Sequence, residues 1–139
     1  MSLFKQFATD EKKEKEGIAV TYAPNEDGSI PTFHIRRRGP SNQQYVKALE
    51  RESAPYRRML ELNALDNKTQ EAIMRRVFCS SVLIGFENVQ DQSGAAIPFN
   101  EKNAIRLFEM LPELYYDLSD QAGKLASFRV ETQESDAKN

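Results

Sequence analysis

The chain has 139 residues, 40% of them hydrophobic and 29% charged, which suits one domain able to bury a core without metals or disulfides. Nineteen Lys and Arg stand against 21 Asp and Glu, and a net charge of −2 lacks the basic excess that wrapping nucleic acid requires. The single cysteine, Cys79, excludes an internal disulfide and a cysteine-pair zinc site, and nucleophile–histidine catalysis has only His34 to run through.

Residues 1–16 read as a charged arm or short helix, with Phe4 and Phe7 one helical turn apart and acids balancing lysines behind them. This opening does not resemble a signal peptide, and no apolar run approaches the roughly 20 residues of a membrane span. A reducing cytoplasm is the expected setting. From Gly17 the pattern alternates: Ile18, Val20 and Tyr22 point one way, then Phe33 and Ile35 do the same after a turn at Pro24-Asn25-Glu26-Asp27-Gly28. The alternation predicts a β-hairpin over 17–38. An isolated hairpin is marginal in water, so its apolar face is expected to cover helices.

Gly39-Pro40 ends the hairpin, and Ser41 with Gln44 stands at capping-box spacing before a helix running from 42 towards 53. Pro55 predicts a break, followed by a helical piece carrying Tyr56, Met59, Leu60 and Leu62. Asp66 can cap the next and most apolar helix, whose stripe Ile73, Val77, Ser81 and Ile84 runs to a stop at Gly85. Turn residues at 91–94 lie between Phe86, Val89, Ile97 and Phe99, a pattern that fits a tight hairpin or a loop folded back on the helices, with the loop preferred. Asn100 caps a helix bearing Ala104, Leu107, Phe108 and Leu111. Pro112 suits the first position of a last one, whose apolar face is Leu114, Leu118, Ala122, Leu125 and Phe128. Residues 131–139 read as a disordered acidic tail. The expected fold is α+β and predominantly helical, with about five helical segments over 41–128, an N-terminal hairpin and a single globular domain over 17–130.

Little here points to chemistry. His34 has no local acid or nucleophile to work with and reads as an ordinary strand residue. Cys79 sits in the most apolar helix and reads as a small hydrophobe. The glycines are isolated, so no phosphate loop forms, and no carboxylate spacing suggests a metal site. No enzyme, cofactor or metal is expected. The charge is unevenly distributed, with a basic excess over 34–58 and an acidic excess over 109–139. These faces either pair with each other and with solvent, or present a basic surface to an acidic partner or nucleic acid, with Phe33, Tyr45 and Tyr56 as possible stacking residues.

The segment Phe86-Glu87-Asn88-Val89-Gln90-Asp91-Gln92-Ser93-Gly94-Ala95-Ala96-Ile97-Pro98-Phe99-Asn100, leading into Asn103-Ala104 and Leu107-Phe108, carries a more specific signal. It resembles the tail assembly chaperones of long-tailed bacteriophages, in which a Val-x-Asp-x-x-Gly turn and a Pro-Phe step precede an Asn-Ala helix start. Gly17-Ile18-Ala19-Val20-Thr21-Tyr22 resembles that family's opening strand, and Phe33-His34-Ile35-Arg36-Arg37-Arg38-Gly39 its basic strand. Asn42, Tyr45, Pro55-Tyr56-Arg57-Arg58 and Phe128-Arg129 follow in the same order. Phe86 stands where the family pattern has tryptophan, and the 24–31 turn is long.

The resemblance implies a protein of the host cytoplasm that binds the tape measure protein, keeps it soluble, helps recruit tail tube subunits and is absent from the finished tail. The expected partners are the tape measure protein, the tube protein, a frameshifted longer form of the chain ending beyond Lys138-Asn139, and further copies of itself. No membrane is expected. The expected contact residues are Arg36, Arg37 and Arg38 on the hairpin edge with Phe86, Val89, Ile97 and Phe99, and Met59, Met74 and Met110 would add adaptable apolar contacts if exposed. Two other readings remain open at this stage: a minor tail or tail-completion protein retained in the virion, and a small nucleic-acid-binding regulator using the 34–58 stretch.

Overall fold

The computed structural model describes residues 2–129, so the expected acidic tail at 131–139 lies outside the described residues. The N-terminal arm forms two short helices, α1 (Leu3–Phe7) and α2 (Glu11–Glu16), started by side-chain caps from Ser2 and Asp10. Gly17 turns the chain into β1 (Ile18–Thr21), which pairs antiparallel with β2 (Thr32–Ile35), Val20 facing Phe33 and Ile18 facing Ile35. The expected hairpin is present, and its alternation places Val20, Phe33 and Ile35 in the core.

The next helix, α3 (Gln43–Ser53), is capped by Asn42 rather than by Ser41. The Asn42 carboxamide oxygen accepts from the Tyr45 N–H at 3.1 Å, whereas the Ser41 hydroxyl bonds Glu14. Pro55 breaks the chain as expected: a 3₁₀ turn over Ala54–Tyr56 leads into α4 (Arg57–Glu61). Asp66 occupies the N-cap position of α5 (Asn67–Ser81), which buries Ile73, Val77, Phe78, Cys79 and Ser81.

The structure departs from the sequence reading at the end of α5. The helix stops at Ser81 instead of running through Ile84 to Gly85, and residues Leu83–Glu87 form a third strand, β3. β3 pairs antiparallel with the free edge of β2, giving a sheet of order β1-β2-β3 with Phe33 opposite Phe86 and a bulge between His34 and Ile35. The segment after β2 supplies the stop: the Asn42 side chain donates to the Ser81 carbonyl at 3.1 Å, and the Arg36 N–H donates to the Val82 carbonyl at 2.8 Å. Helix-end carbonyls need such partners, and here they come from 40 or so residues upstream.

Asn100 caps α6 (Glu101–Met110), accepting from the Asn103 N–H at 2.7 Å, and Pro112 opens α7 (Pro112–Gly123), both as expected. α7 ends at Gly123, and Leu125–Phe128 form a separate 3₁₀ turn that buries Phe128. The fold is α+β and helix-dominated, with one small antiparallel sheet.

The main core joins the sheet to α5, α6 and α7 through Phe33, Ile35, Phe78, Val82, Phe86, Phe108, Tyr115 and Leu118. Its rings meet edge-on: Phe78 stands 5.8 Å from Phe108 and 5.4 Å from Tyr115, and Phe33 stands 5.5 Å from Phe86. A second cluster of Ala48, Leu65, Ile73 and Val77 packs α3 on the outer side of α5. The Tyr22 hydroxyl donates to Asp117 at 2.5 Å and ties the hairpin to α7; burial and that carboxylate both raise the tyrosine's pKa.

Two glycines separate backbone strain from close approach. Gly17, at φ +87° and ψ −178°, occupies a region open essentially to glycine alone, and a Cβ there would lie 2.5 Å from the Ile35 carbonyl oxygen. Gly28, also at φ +87°, would meet nothing within 4 Å. Gly28→Ala is expected to cost about 1–2 kcal/mol through backbone strain alone. Gly17→Ala, which must also move a strand carbonyl, is expected to cost more than about 3 kcal/mol. Urea unfolding of the two variants checks this, and equal losses would contradict the close approach of Gly17 to the Ile35 carbonyl.

Candidate binding groove

Val89, Asp91, Ala95 and Ile97 close a tight reversal beyond β3. The Asp91 N–H donates to Ala95 and the Ile97 N–H to Val89, at 2.9 and 2.8 Å, with Gln90 bridged to Ala96. This segment is therefore a small hairpin and not the loop preferred from the sequence. The Asp91 carboxylate holds its bend. Its Oδ1 accepts from the Ser93 hydroxyl at 2.6 Å, the Ser93 N–H at 2.8 Å and the Ala95 N–H at 3.0 Å, and Gly94 takes the left-handed position at φ +87°. These bonds lower the Asp91 pKa, the Ser93 hydroxyl contributing most.

The β1–β2 reversal uses the same device. Asp27 Oδ1 accepts from the Ser29 hydroxyl and N–H at 2.6 and 2.9 Å. The two reversals are also bonded to each other. Gln90 donates to Asp27 Oδ2 at 2.9 Å, Asn25 donates to the Asn88 carbonyl at 2.8 Å, and Asn88 donates to the Ile30 carbonyl at 3.1 Å. Asn88 itself sits at φ +61°, a left-handed conformation that asparagine tolerates better than most residues. Both turns are legible in the sequence, but these cross-bonds are not, because their partners lie about 60 residues apart.

Opposite this braced hairpin lies the C-terminal end of α6. Leu107 faces the core, but Met110 falls outside the buried stripe and is 59% exposed. Leu111 is pushed out for a different reason. Proline disfavours helical geometry in the residue before it, and Leu111, preceding Pro112, sits at φ −126° and ψ 72° and is 51% exposed. Between the two walls runs a groove of about 580 Å³, lined by Gln90, Asp91, Gln92, Ser93 and Ile97 of the hairpin and by Leu107, Met110 and Leu111 at the end of α6. Its apolar floor and polar lip lie within the size range of pockets that enclose ligands. A smaller hollow of about 320 Å³ lies between α3 and α4, lined by Val46, Leu49, Glu50, Ser53, Arg57 and Leu60.

The residues singled out from the sequence fall in different places. Phe86 and Val89 are buried and support the hairpin from beneath, Ile97 lines the groove, and Phe99 stands exposed with its ring 5.0 Å from Phe86. The three arginines lie after β2, half-buried, and each is engaged by the chain itself. Arg36 bonds Gln44 at 2.6 Å, Arg37 pairs with Glu14 at 2.9 Å, and Arg38 donates to the Ser119 carbonyl at 3.1 Å. Burial acts to raise the Glu14 pKa, but hydrogen bonds from Arg37, Thr9 and Ser41 outweigh it and the carboxyl titrates below its ordinary value.

Met59 and Met110 are exposed and Met74 is half-buried. Phe33 is buried, and Tyr45 and Tyr56 pack against the core clusters. His34 meets Glu87 across the strands at 2.9 Å, a partner the sequence pattern did not show. Cys79 is buried, and that burial, helped by Glu101, pushes its thiol up to about 12, too high for a nucleophile at neutral pH. Among the described residues no helix is long and apolar enough to cross a membrane.

Comparison with known proteins gives this chain a phage origin. It belongs to the YdaY prophage protein family, whose family model matches residues 40–139. The matched part includes α3 to α7, β3 and both walls of the groove. No curated protein and no solved structure matches the chain significantly.

The bracing of the groove wall makes it sensitive to acid. A carboxyl that titrates below its ordinary 3.8 when folded binds fewer protons than in the unfolded chain, so its contribution is complete above about pH 5 and lost as pH falls through the folded pKa. The Ser93 and Ala95 amide resonances are expected to titrate together with a midpoint below 3.8, and to lose that step in Asp91→Asn. A midpoint at or above 3.8 would contradict the bonding described.

Proposed function

We propose that this prophage protein is a binding protein rather than an enzyme: a tail assembly chaperone that holds apolar helical stretches of the tape measure protein in the α6–hairpin groove. The observation that carries this reading is the groove itself, an apolar floor with Met110 and Leu111 exposed, bordered by a polar lip fastened at both ends. A helix laid in such a groove presents side chains at i, i+3, i+4 and i+7 to the floor, while its backbone needs nothing from the site. Methionine suits a surface that must accept many different apolar sequences, because its unbranched side chain adapts to each. The family's prophage origin and the tail-chaperone resemblance of the 86–108 segment, which forms most of this groove, support the same reading.

The proposed cycle takes place in the host cytoplasm. Several copies bind along one tape measure chain, each weak contact strengthened by its neighbours through effective concentration, and depart as tube subunits are recruited. A weak single contact is an advantage here, since the chaperone must leave.

Co-expression with the tape measure protein of the same prophage tests this. Soluble tape measure is expected only when the chain is present. Met110→Glu, a charge in the apolar floor, is expected to lower co-purification about tenfold, equivalent to about 1.4 kcal/mol, while Lys47→Glu on exposed α3 leaves it unchanged. Aggregation of the tape measure regardless of the chain would sink the chaperone reading. Recovery of the chain from purified virions would favour a retained tail component instead.

A further inference from the structure

α1 buries none of its residues, and its apolar side chains face outward, with Leu3 71%, Phe4 82% and Phe7 62% exposed. Phe7 shares a helix face with Leu3 and Phe4, which lie four and three residues before it. The arm behind them is fastened: Thr9 bridges Arg129, the Asp10 N–H donates to the Phe128 carbonyl at 2.7 Å, and Glu14 pairs with Arg37. The molecule therefore carries an apolar knob and, elsewhere, an apolar groove.

The knob cannot reach the groove of its own chain. The arm meets the sheet at the Ile18–Ile35 end, whereas the 88–97 hairpin hangs from the opposite end, where Thr32 pairs with Glu87. α7 shows the same separation: it starts at the groove with Leu111 and Pro112 and runs 12 residues, about 18 Å, towards the Phe128 anchor of the arm. Only Ala8 lies between α1 and the bridged Thr9, and one residue spans under about 4 Å.

We infer that α1 of one copy seats Phe4 and Phe7 in the α6–hairpin groove of a second copy. The charges agree with this. Lys5 is the one charged side chain within α1, and Asp91 is the one charged residue lining the groove. The hydrogen bonds from Ser93 and Ala95 fall on Oδ1, and the Asp91 carboxylate is exposed to solvent at the groove lip, where it can meet Lys5. Two phenylalanines and a leucine withdraw on the order of 400 Å² of the arm's surface from water, about half of the roughly 800 Å² per partner of a stable complex. The contact is thus weak and reversible. If the groove is the client surface proposed above, the arm acts as its stand-in: a neighbour's α1 covers the apolar floor until a client helix displaces it. That second step rests on the proposed function, and the arm contact does not.

Sedimentation of the full chain up to about 100 μM, a range that reports contacts between millimolar and micromolar affinity, tests the contact. The wild type is expected to gain mass with concentration. Phe4→Glu with Phe7→Glu, and separately Met110→Glu, are expected to stay monomeric with unchanged circular dichroism, since all three positions are exposed. Mixing the two variants restores association, because one keeps its groove and the other its arm. Lys5→Glu, the gentler change, weakens association several-fold. A wild type that remains monomeric, an arm variant that associates like the wild type, or a mixture that stays monomeric overturns the inference. A monomeric wild type that still recovers soluble tape measure overturns the arm contact and leaves the client reading intact; an associating chain that recovers none does the reverse.

Discussion

The pairing of Phe33 with Phe86 across β2 and β3 organises the rest of this molecule. Without β3 the hairpin β1–β2 would be a marginal two-stranded ribbon. With it, the sheet gains a third strand and a continuous aromatic row, Tyr22, Phe33, Phe86 and Phe99, spaced 5.0 to 5.8 Å apart. The same pairing delivers the chain beyond β3 beside the β1–β2 reversal, where Asn25, Asp27, Asn88 and Gln90 can bond the two turns together. The hairpin wall of the groove is thus positioned by strand pairing and held by side chains, while the other wall is exposed because Pro112 expels Leu111 from its helix.

Much of this was legible in the sequence, wherever the cause is local. The strands β1 and β2, the break at Pro55, the Asn100 cap, the Pro112 start and the turn at 91–94 each follow from a few adjacent residues with defined backbone preferences. β3 was not legible. Val82, Leu83 and Ile84 continue the apolar stripe of α5, and a short apolar run looks the same whether it will be helix or buried strand. What decides it is the free edge of β2 and the capping of α5 by Asn42 and Arg36, all far upstream. The choice of Asn42 over Ser41 as the α3 cap has a similar origin, because Glu14 engages the serine hydroxyl.

The basic stretch teaches a related lesson. Arg36, Arg37 and Arg38 stand out in the sequence as a positive edge, and their neighbours offer nothing to neutralise it. In the fold they meet Gln44, Glu14 and the carbonyl of Ser119, which bring α2, α3 and α7 against the end of the sheet. Charge that reads as a surface for others works here to join the chain to itself. The groove, by contrast, is half visible in the sequence: Ile97 and, if exposed, Met110 stand out as contact residues, whereas Leu111 reads as an ordinary member of the α6 apolar face, because its exposure depends on where the helix ends.

The central claim is that the α6–hairpin groove receives an apolar helix of the tape measure protein. The most direct measurement is an amide chemical-shift titration of the chain with a peptide from an apolar helical stretch of that protein. The account predicts saturable shifts concentrated at residues 90–93, Ile97 and 107–111, the two walls of the groove. Shifts confined to the α3–α4 hollow or to Arg36, Arg37 and Arg38, or none at saturating peptide, would contradict it.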